Sequence, residues 1–350
     1  MNALSFILDA VWKALVLSSV SSTLFFAAML AAPFVARGAS WRQIKWFYNA
    51  QELILALLLA GGSVLVISGS SRVVMRCLEI SPHEGLATRA LAAVWVIAVA
   101  ALLSRDVWLA KKVHALSRTL APLEDARVRA VFERLRSTLG IRGRVSLHGV
   151  DASLSPFAYG LFHHKVVLPR AMIEGSNDAV IAATLAHELV HVREKDSAWL
   201  FVEIVCRRLL FWHPLTYLVK RRYLRAVEKT ADQQAVEAAR VPVDALLSAL
   251  VEVSGLAGIS IRSPLQIRAS EGFADLKERI EALTALPRPR AWAALPVLAL
   301  LAILPAAGAV AEARVYVGTG QFHFDNQAMA CLKVSQEEML GFGSQKERTP

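Results

Sequence analysis

The pentapeptide His187-Glu188-Leu189-Val190-His191 decides how this sequence is interpreted. Positions i and i+4 of a helix share one face, so the imidazoles of His187 and His191 can bind a single metal ion. The apolar stretch Ala182–Leu185 precedes them, and neither glycine nor proline interrupts the run. A zinc ion held there lowers the pKa of a water, and the carboxylate of Glu188 can take the proton as a peptide carbonyl is attacked. The alternative is a buried helix with two incidental histidines, but chance gives only ~0.01 such patterns in a chain of this composition.

A catalytic zinc site also needs a third protein ligand and one open position. Glu228, on a later predicted helix, is the candidate ligand. Asp232 lies one turn further along the same face, where it can accept the free ring N–H of a ligating histidine. The rival ligands are Glu194, which is too close to His191 in sequence to fold back to the same ion, and His213, which precedes a proline and favours a helix boundary.

Three other residues near these motifs carry weaker expectations. Asp196 is expected to hold the end of the catalytic helix or to support a metal ligand from behind. A hydrolytic site needs a donor for the developing oxyanion besides the metal. Tyr159 and Tyr223 are candidates for that donor, but both are expected to be packing residues.

The composition places this site in a membrane protein. Of the 350 residues, 55% are hydrophobic and 19% are charged, whereas a soluble domain has about 25% charged residues. A spanning helix needs roughly 20 mostly apolar residues. Four runs predict spans at about 14–36, 53–71, 89–110 and 291–311. Buried core helices are the alternative, and a signal peptide is disfavoured for the first run because Asp9 stands where a basic region is expected.

Charge predicts the orientation of these spans. The segment between the first two carries Arg37, Arg42 and Lys45 without an acid, and residues 105–290 carry 28 basic against 20 acidic residues. The N-terminus and the tail 312–350 are therefore expected outside a bacterial-type plasma membrane, with residues 111–290 in the cytoplasm. Topology then explains the net charge of +10. Direct nucleic-acid binding is not expected, because no basic patch is interleaved with aromatic residues.

Residues 111–290 have the pattern of a mostly helical domain with a small sheet. Helices are predicted at Pro122–Leu139, Ile181–Glu194, Pro214–Ala239, Val243–Val253 and Ala274–Leu283, and strands at Arg144–His148 and Lys165–Leu168. The aromatic-rich stretch Ser197–Trp212 is either a core helix or, preferably, a helix in the membrane interface. The predicted fold is a mainly α membrane protein: three spans within residues 1–110, a cytoplasmic α+β domain at 111–290, a fourth span at 291–311 and an outer tail at 312–350.

Several motifs occur in a characteristic order around the pentapeptide. They are Ser155-Pro156-Phe157-Ala158-Tyr159-Gly160-Leu161, His187-Glu188-x-x-His191, Phe211-Trp212-His213-Pro214-Leu215, Glu228-x-x-x-Asp232 and Leu276-Lys277-Glu278-Arg279-Ile280. With three predicted spans before them and one after, this set resembles the BlaR/MecR-type integral-membrane zinc metallopeptidases, over roughly residues 1–310. The chain departs from that pattern at His213, where the family usually has Asn.

The resemblance implies a gluzincin fold. Zn²⁺ would be held by His187, His191 and Glu228, with Glu188 as the general base. The resemblance also implies a sheet edge on which a protein or peptide substrate adds as a strand. The residues of that expected edge are Lys165, Val166, Val167 and Leu168.

In antibiotic-sensing members of that family, an outer penicillin-binding domain signals inward and proteolysis leads to loss of a transcriptional repressor. The implied activity here is cleavage of cytoplasmic or membrane-proximal proteins, such as a repressor, with self-cleavage between Gly255 and Leu286. Residues 312–350 are too few for the sensor, and neither Ser335 nor Ser344 begins a Ser-x-x-Lys motif. Sensing of β-lactams by these residues is therefore not expected.

Several alternatives stay open at this point. A housekeeping membrane protease of the HtpX/Ste24 kind shares the pentapeptide pattern and a distant glutamate. A non-catalytic, signal-transducing scaffold with a structural zinc site is a different class of function. The lipid bilayer is an expected partner of the chain. A second copy of the chain, in a homodimer, is a further alternative. Cys77 and Cys331 both fall outside in this topology, where a disulfide between them is permitted but not required.

Overall fold

The computed structural model describes residues 3–36, 39–67, 86–151, 155–255, 273–284 and 299. Its helices are α1 (Ala3–Val35), α2 (Trp41–Ile67), α3 (Leu86–Thr119), α4 (Ala126–Thr138), α5 (Arg170–Gly175), α6 (Asp178–Arg193), α7 (Asp196–Leu209), α8 (Leu215–Glu237), α9 (Val243–Gly255) and α10 (Phe273–Thr284), and its strands are β1 (Val145–Val150), β2 (Phe157–Tyr159) and β3 (His164–Pro169). The described part of the chain is therefore mostly helical with a small sheet, as the sequence predicts, and the sheet has three strands. The tail 312–350, the cysteine pair and all but residue 299 of the predicted fourth span lie outside the described residues.

The chain divides into two compact units. One comprises Met1–Leu24, Leu57–Val94 and Ile303–Pro350, and the other comprises Phe25–Ala56 and Trp95–Ala302. The second unit contains every described residue of the predicted cytoplasmic domain. It also contains the segment between the first two predicted spans, so that segment packs with the residues of the candidate site.

Among the described residues, one helix is long and apolar enough to cross a membrane. It covers Leu86–Ala115, with a mean hydropathy of 2.2 in its most apolar part, and it coincides with the third predicted span. Ser22–Val35 is a shorter apolar helix at the first predicted span. The number of spans and their orientation stay predictions.

Side-chain caps explain where two helices of the second unit begin. The Asn177 side chain accepts a hydrogen bond from the backbone N–H of Val180 at 2.9 Å and starts α6. The carboxylate of Asp125 accepts one from the N–H of Val128 at 3.0 Å and starts α4. Each capping side chain accepts a hydrogen bond from a backbone N–H that has no acceptor within the first turn of the helix.

Helix α6 is the centre of the second unit. Its residues are buried on nearly every side from Val180 to Val192, as expected for a helix enclosed by other elements. It packs against α4, α8, α9 and the sheet. Buried Val166 and Leu168 of β3 belong to the same apolar core. The core therefore fixes α6 as a rigid support for the polar residues that it carries.

The sheet corrects one expectation. Its strand order is β1-β3-β2, with β3 parallel to β1 and antiparallel to β2. The prediction that Lys165–Leu168 forms the free edge is therefore wrong, because β3 is the central strand. The chain turns between β2 and β3 at Gly160, whose φ is +121°, and this turn allows the two strands to pair. A Cβ atom at this position would collide with the carbonyl of His163. Among the described strands, β2 is the outer one on this side, and it packs against α6.

Helix α7 has an exposed side and a buried side. Phe201 is 50% exposed, and a position of this helix in the membrane interface stays a prediction. On another side of the helix, buried Glu203 accepts a hydrogen bond from Arg207 at 2.7 Å, and the carboxylate of Asp106 accepts two hydrogen bonds from Arg208 at 2.6 and 3.0 Å. The charged residues of α7 therefore point into the protein, while an aromatic side chain faces outward.

Candidate metal centre

The middle of α6 presents the two histidines of the pentapeptide side by side. Both are buried, with 9% of His187 and 5% of His191 exposed. Their Nε2 atoms lie 3.2 Å apart, and their rings meet edge to face with centroids 4.8 Å apart. The helical spacing predicted from the sequence therefore brings both imidazoles to one point.

Glu228 of α8 completes a cluster with these histidines. Its Oε2 lies 3.4 Å from Nε2 of His187, and one ligand atom from each of His187, His191 and Glu228 lies within 4.8 Å of the others. Two atoms that each lie about 2.0–2.1 Å from one tetrahedral zinc ion are about 3.3–3.4 Å apart. The two measured separations are close to that value, so the three side chains fit a zinc site.

The outer nitrogens of both rings face carboxylates. Nδ1 of His187 lies 3.0 Å from Oδ1 of Asp232, and Nδ1 of His191 donates to Oδ2 of Asp196 at 2.9 Å. A carboxylate at Nδ1 keeps the ring hydrogen on that atom and leaves the lone pair at Nε2. Two such lone pairs 3.2 Å apart require a proton or a metal cation between them, so the chemistry of the donor set also fits a metal ion. Asp232 and Asp196 both lie where the sequence analysis expected supporting carboxylates.

The carboxylates around His187 also favour its protonated form. Burial alone lowers the pKa of His187, but interactions with Asp232 and Glu228 outweigh burial and raise the pKa to about 10. Burial likewise works against the ionised form of Glu228, yet Arg279 and His187 hold the pKa of that carboxyl well below its usual range. The cluster is therefore built to hold positive charge between the three side chains.

Arg279 of α10 is a residue of this site that sequence reasoning missed. Its guanidinium donates to Oδ2 and Oδ1 of Asp232 at 2.8 and 2.7 Å and lies 3.2 Å from Oε2 of Glu228. This forked geometry fixes the orientation of a carboxylate more firmly than a single contact does. The only available signal was the motif Leu276–Ile280, which the resemblance matched without assigning a role to its arginine.

The remaining candidates lie as follows. Glu188 is buried, 8% exposed, and adjoins His187 on α6. Glu194 is held away from the cluster by Arg42 and Lys45, at 3.0 and 3.3 Å. His213 packs edge-on against Phe26, with ring centroids 5.0 Å apart. Tyr159 belongs to an apolar cluster with Val113, Phe157 and Val167, and Tyr223 packs against Tyr48. The rival ligands are therefore engaged elsewhere, and both tyrosines have packing roles.

Part of this chain is similar to known proteins. The model of the family described as BlaR1 peptidase M56 matches residues 79–283, more than half of the chain. The methicillin resistance mecR1 protein of Staphylococcus aureus is 28% identical over 83 residues, which are 24% of this chain and 14% of that protein. The regulatory protein BlaR1 of Bacillus licheniformis is 22% identical over 140 residues, 40% of this chain and 23% of that protein. The chain thus spans less than a quarter of the length of either relative. The resemblance inferred from the motifs is confirmed, and the chain belongs to the BlaR1 peptidase M56 family.

Proposed function

We propose that this chain is a membrane-embedded zinc endopeptidase that hydrolyses peptide bonds of cytoplasmic or membrane-proximal proteins. The observation that carries the proposal is the convergence of His187, His191 and Glu228 within 4.8 Å, in a chain of a peptidase family. The buried carboxylate of Glu188 next to the first ligand is what a hydrolytic site needs and a structural zinc site does not. This feature favours an enzyme over a non-catalytic scaffold.

The chemistry divides between the metal and the side chains around it. A zinc ion in this site would supply a Lewis acid that polarises the scissile carbonyl and makes a water more acidic. Glu188 would accept a proton from the attacking water on its carboxylate and deliver it to the departing amine. Asp232 and Asp196 would keep hydrogen on the Nδ1 atoms of the two histidines, so that Nε2 of each ring stays free to bind the ion.

The sheet supports a revised position for the substrate. An extended peptide adds to a strand whose backbone groups on one side are free. In this sheet the outer strand that packs against α6 is β2 (Phe157–Tyr159). We place the substrate strand along β2 rather than along Lys165–Leu168. The proposed self-cleavage between Gly255 and Leu286 would fall largely in residues 256–272, outside the described part of the chain.

The biological role that fits best is signal transduction. The relatives are a regulatory protein and a methicillin resistance protein, so removal of a transcriptional repressor is the proposed outcome of cleavage. The family match favours this role over a housekeeping membrane protease of the HtpX/Ste24 kind. Four spans, with the N-terminus and the tail outside the plasma membrane and residues 111–290 inside, complete the proposal. A homodimer remains open.

The test is a comparison of protein termini in cells that carry wild type, Glu188→Ala or His187→Ala at equal abundance. We expect a small set of new termini in wild type only, because Glu188→Ala retains the metal ligands but loses the base. Phenanthroline should remove the same termini in wild-type cells by withdrawing the metal. An identical set of termini in wild type and Glu188→Ala would contradict the proposal.

A further inference from the structure

Lys45 lies in the first turns of α2, far from the pentapeptide in sequence, yet it reaches the same site. Its side chain is 1% exposed, which is rare for a lysine unless it is paired. The Nζ atom donates to Oδ1 of Asp196 at 2.6 Å and lies 3.3 Å from Oε2 of Glu194. From the sequence, this charge is expected to set membrane topology, but the side chain is inside the protein.

Asp196 connects this ammonium group to a proposed metal ligand. One carboxylate oxygen of Asp196 contacts Lys45, and the other accepts the hydrogen of Nδ1 of His191 at 2.9 Å. Lys195, directly before Asp196, has φ of 56°, a left-handed conformation that non-glycine residues rarely adopt. This tight turn between α6 and α7 places Glu194 and Asp196 together against Lys45.

We propose that Lys45 is a positioning residue of the metal centre, which acts through Asp196 to orient His191. Without the ammonium group, the buried carboxylate of Asp196 would have Glu194 as a like-charged neighbour and no cation to compensate it. A buried carboxylate without its ion-pair partner turns toward other polar groups. The hydrogen bond to His191 is then lost, and its Nε2 is no longer held toward Glu228. The inference rests on the proposed metal site and adds the segment between the first two predicted spans to it.

Arg42 provides a matched control. It lies one helical turn before Lys45 and carries the same charge, but its side chain is 43% exposed and contacts Glu194 at 3.0 Å. Replacement of Arg42 therefore removes a cation from the same segment while the contact between Lys45 and Asp196 stays in place. A difference between the two variants reports the specific contact and not the charge of the segment.

The experiment measures Co²⁺ binding to the metal-free full chain in detergent, from the visible absorption of the bound ion, with Zn²⁺ as competitor. Lys45→Met should weaken Co²⁺ binding by about tenfold or more, the range found when outer partners of ligating histidines are removed. Lys45→Arg and Arg42→Met should each stay within about threefold of wild type. Lys45→Met that binds Co²⁺ as tightly as Arg42→Met would overturn the inference.

A second comparison keeps the inference testable if Lys45→Met alone fails to fold properly. The double variant Asp196→Asn/Lys45→Met has neutral side chains at both positions of the ion pair, so neither position leaves an unpaired charge buried. This double variant should bind Co²⁺ within about threefold of Asp196→Asn alone, since Lys45 acts through Asp196. A further tenfold loss on that background (about 1.4 kcal/mol) would show a different route and overturn the inference. If wild type itself binds Co²⁺ no better than His187→Ala, the proposed metal site fails and not only the role of Lys45.

Discussion

Raising the pH should lower the unfolding free energy of the metal-free protein, because the imidazolium form of His187 stabilises the fold. The ordinary pKa of histidine is 6.5, and in the folded protein the pKa of His187 is raised to about 10, by Asp232 and Glu228 against the effect of burial. A pKa that is higher in the folded state stabilises the fold fully below pH 6.5, and the contribution is lost as the pH rises toward 10. The difference between these two pKa values corresponds to about 4–5 kcal/mol of unfolding free energy, at roughly 1.4 kcal/mol for each pKa unit.

The assay is urea unfolding of the full chain in detergent with a chelator present, at several pH values between 6 and 10. Other groups titrate over the same range, so the informative quantity is the difference in unfolding free energy between wild type and His187→Gln. That difference should be largest at about pH 6 and fall by several kcal/mol toward pH 10. A difference that is constant over this range would refute the argument that His187 holds a proton between Asp232 and Glu228.

Three further predictions concern single contacts. Asp232→Asn should weaken Zn²⁺ binding about 10- to 100-fold in a chelator competition, because the carboxylate behind one ligand is lost; unchanged affinity would contradict its supporting role. Asp106→Ala should lower the unfolding free energy by about 3–5 kcal/mol by leaving buried Arg208 without its partner, and Asp106→Leu combined with Arg208→Met should recover most of that loss. Gly160→Ala should cost more than about 1 kcal/mol, since φ is +121° and the methyl group would meet the carbonyl of His163; an equally stable variant would argue against the turn.

The convergence of His187, His191 and Glu228 could be predicted from the sequence because it depends largely on local geometry. The separation of His187 from His191 and of Glu228 from Asp232 is one helical turn in each case, so the presence of two helices fixes which side chains share a face. Only the packing of α8 against α6 had to be inferred from chemistry. The helices of residues 111–290 follow from periodicity for the same reason.

What the sequence did not predict depends on contacts between distant segments. The place of β3 in the centre of the sheet follows from the turn at Gly160, which carries no Asn-Gly or Asp-Gly signal. Arg279 and Lys45 reach the site from α10 and α2, and neither has a neighbouring motif that assigns it a partner. A lone basic residue before an apolar run can set membrane topology or pair with a distant carboxylate, and the sequence fits both roles. Only the three-dimensional structure shows that Lys45 contacts Asp196.

The metal content of the purified full chain tests the central claim most directly. Measured by mass spectrometry after removal of loosely bound ions, wild type and Glu188→Gln should each retain about one zinc ion per chain. His191→Ala should retain almost none, because two side chains are too few to hold the ion in this site. Zinc retained equally by wild type and His191→Ala, or absent from wild type at neutral pH, would contradict the assignment of His187, His191 and Glu228 as a metal centre.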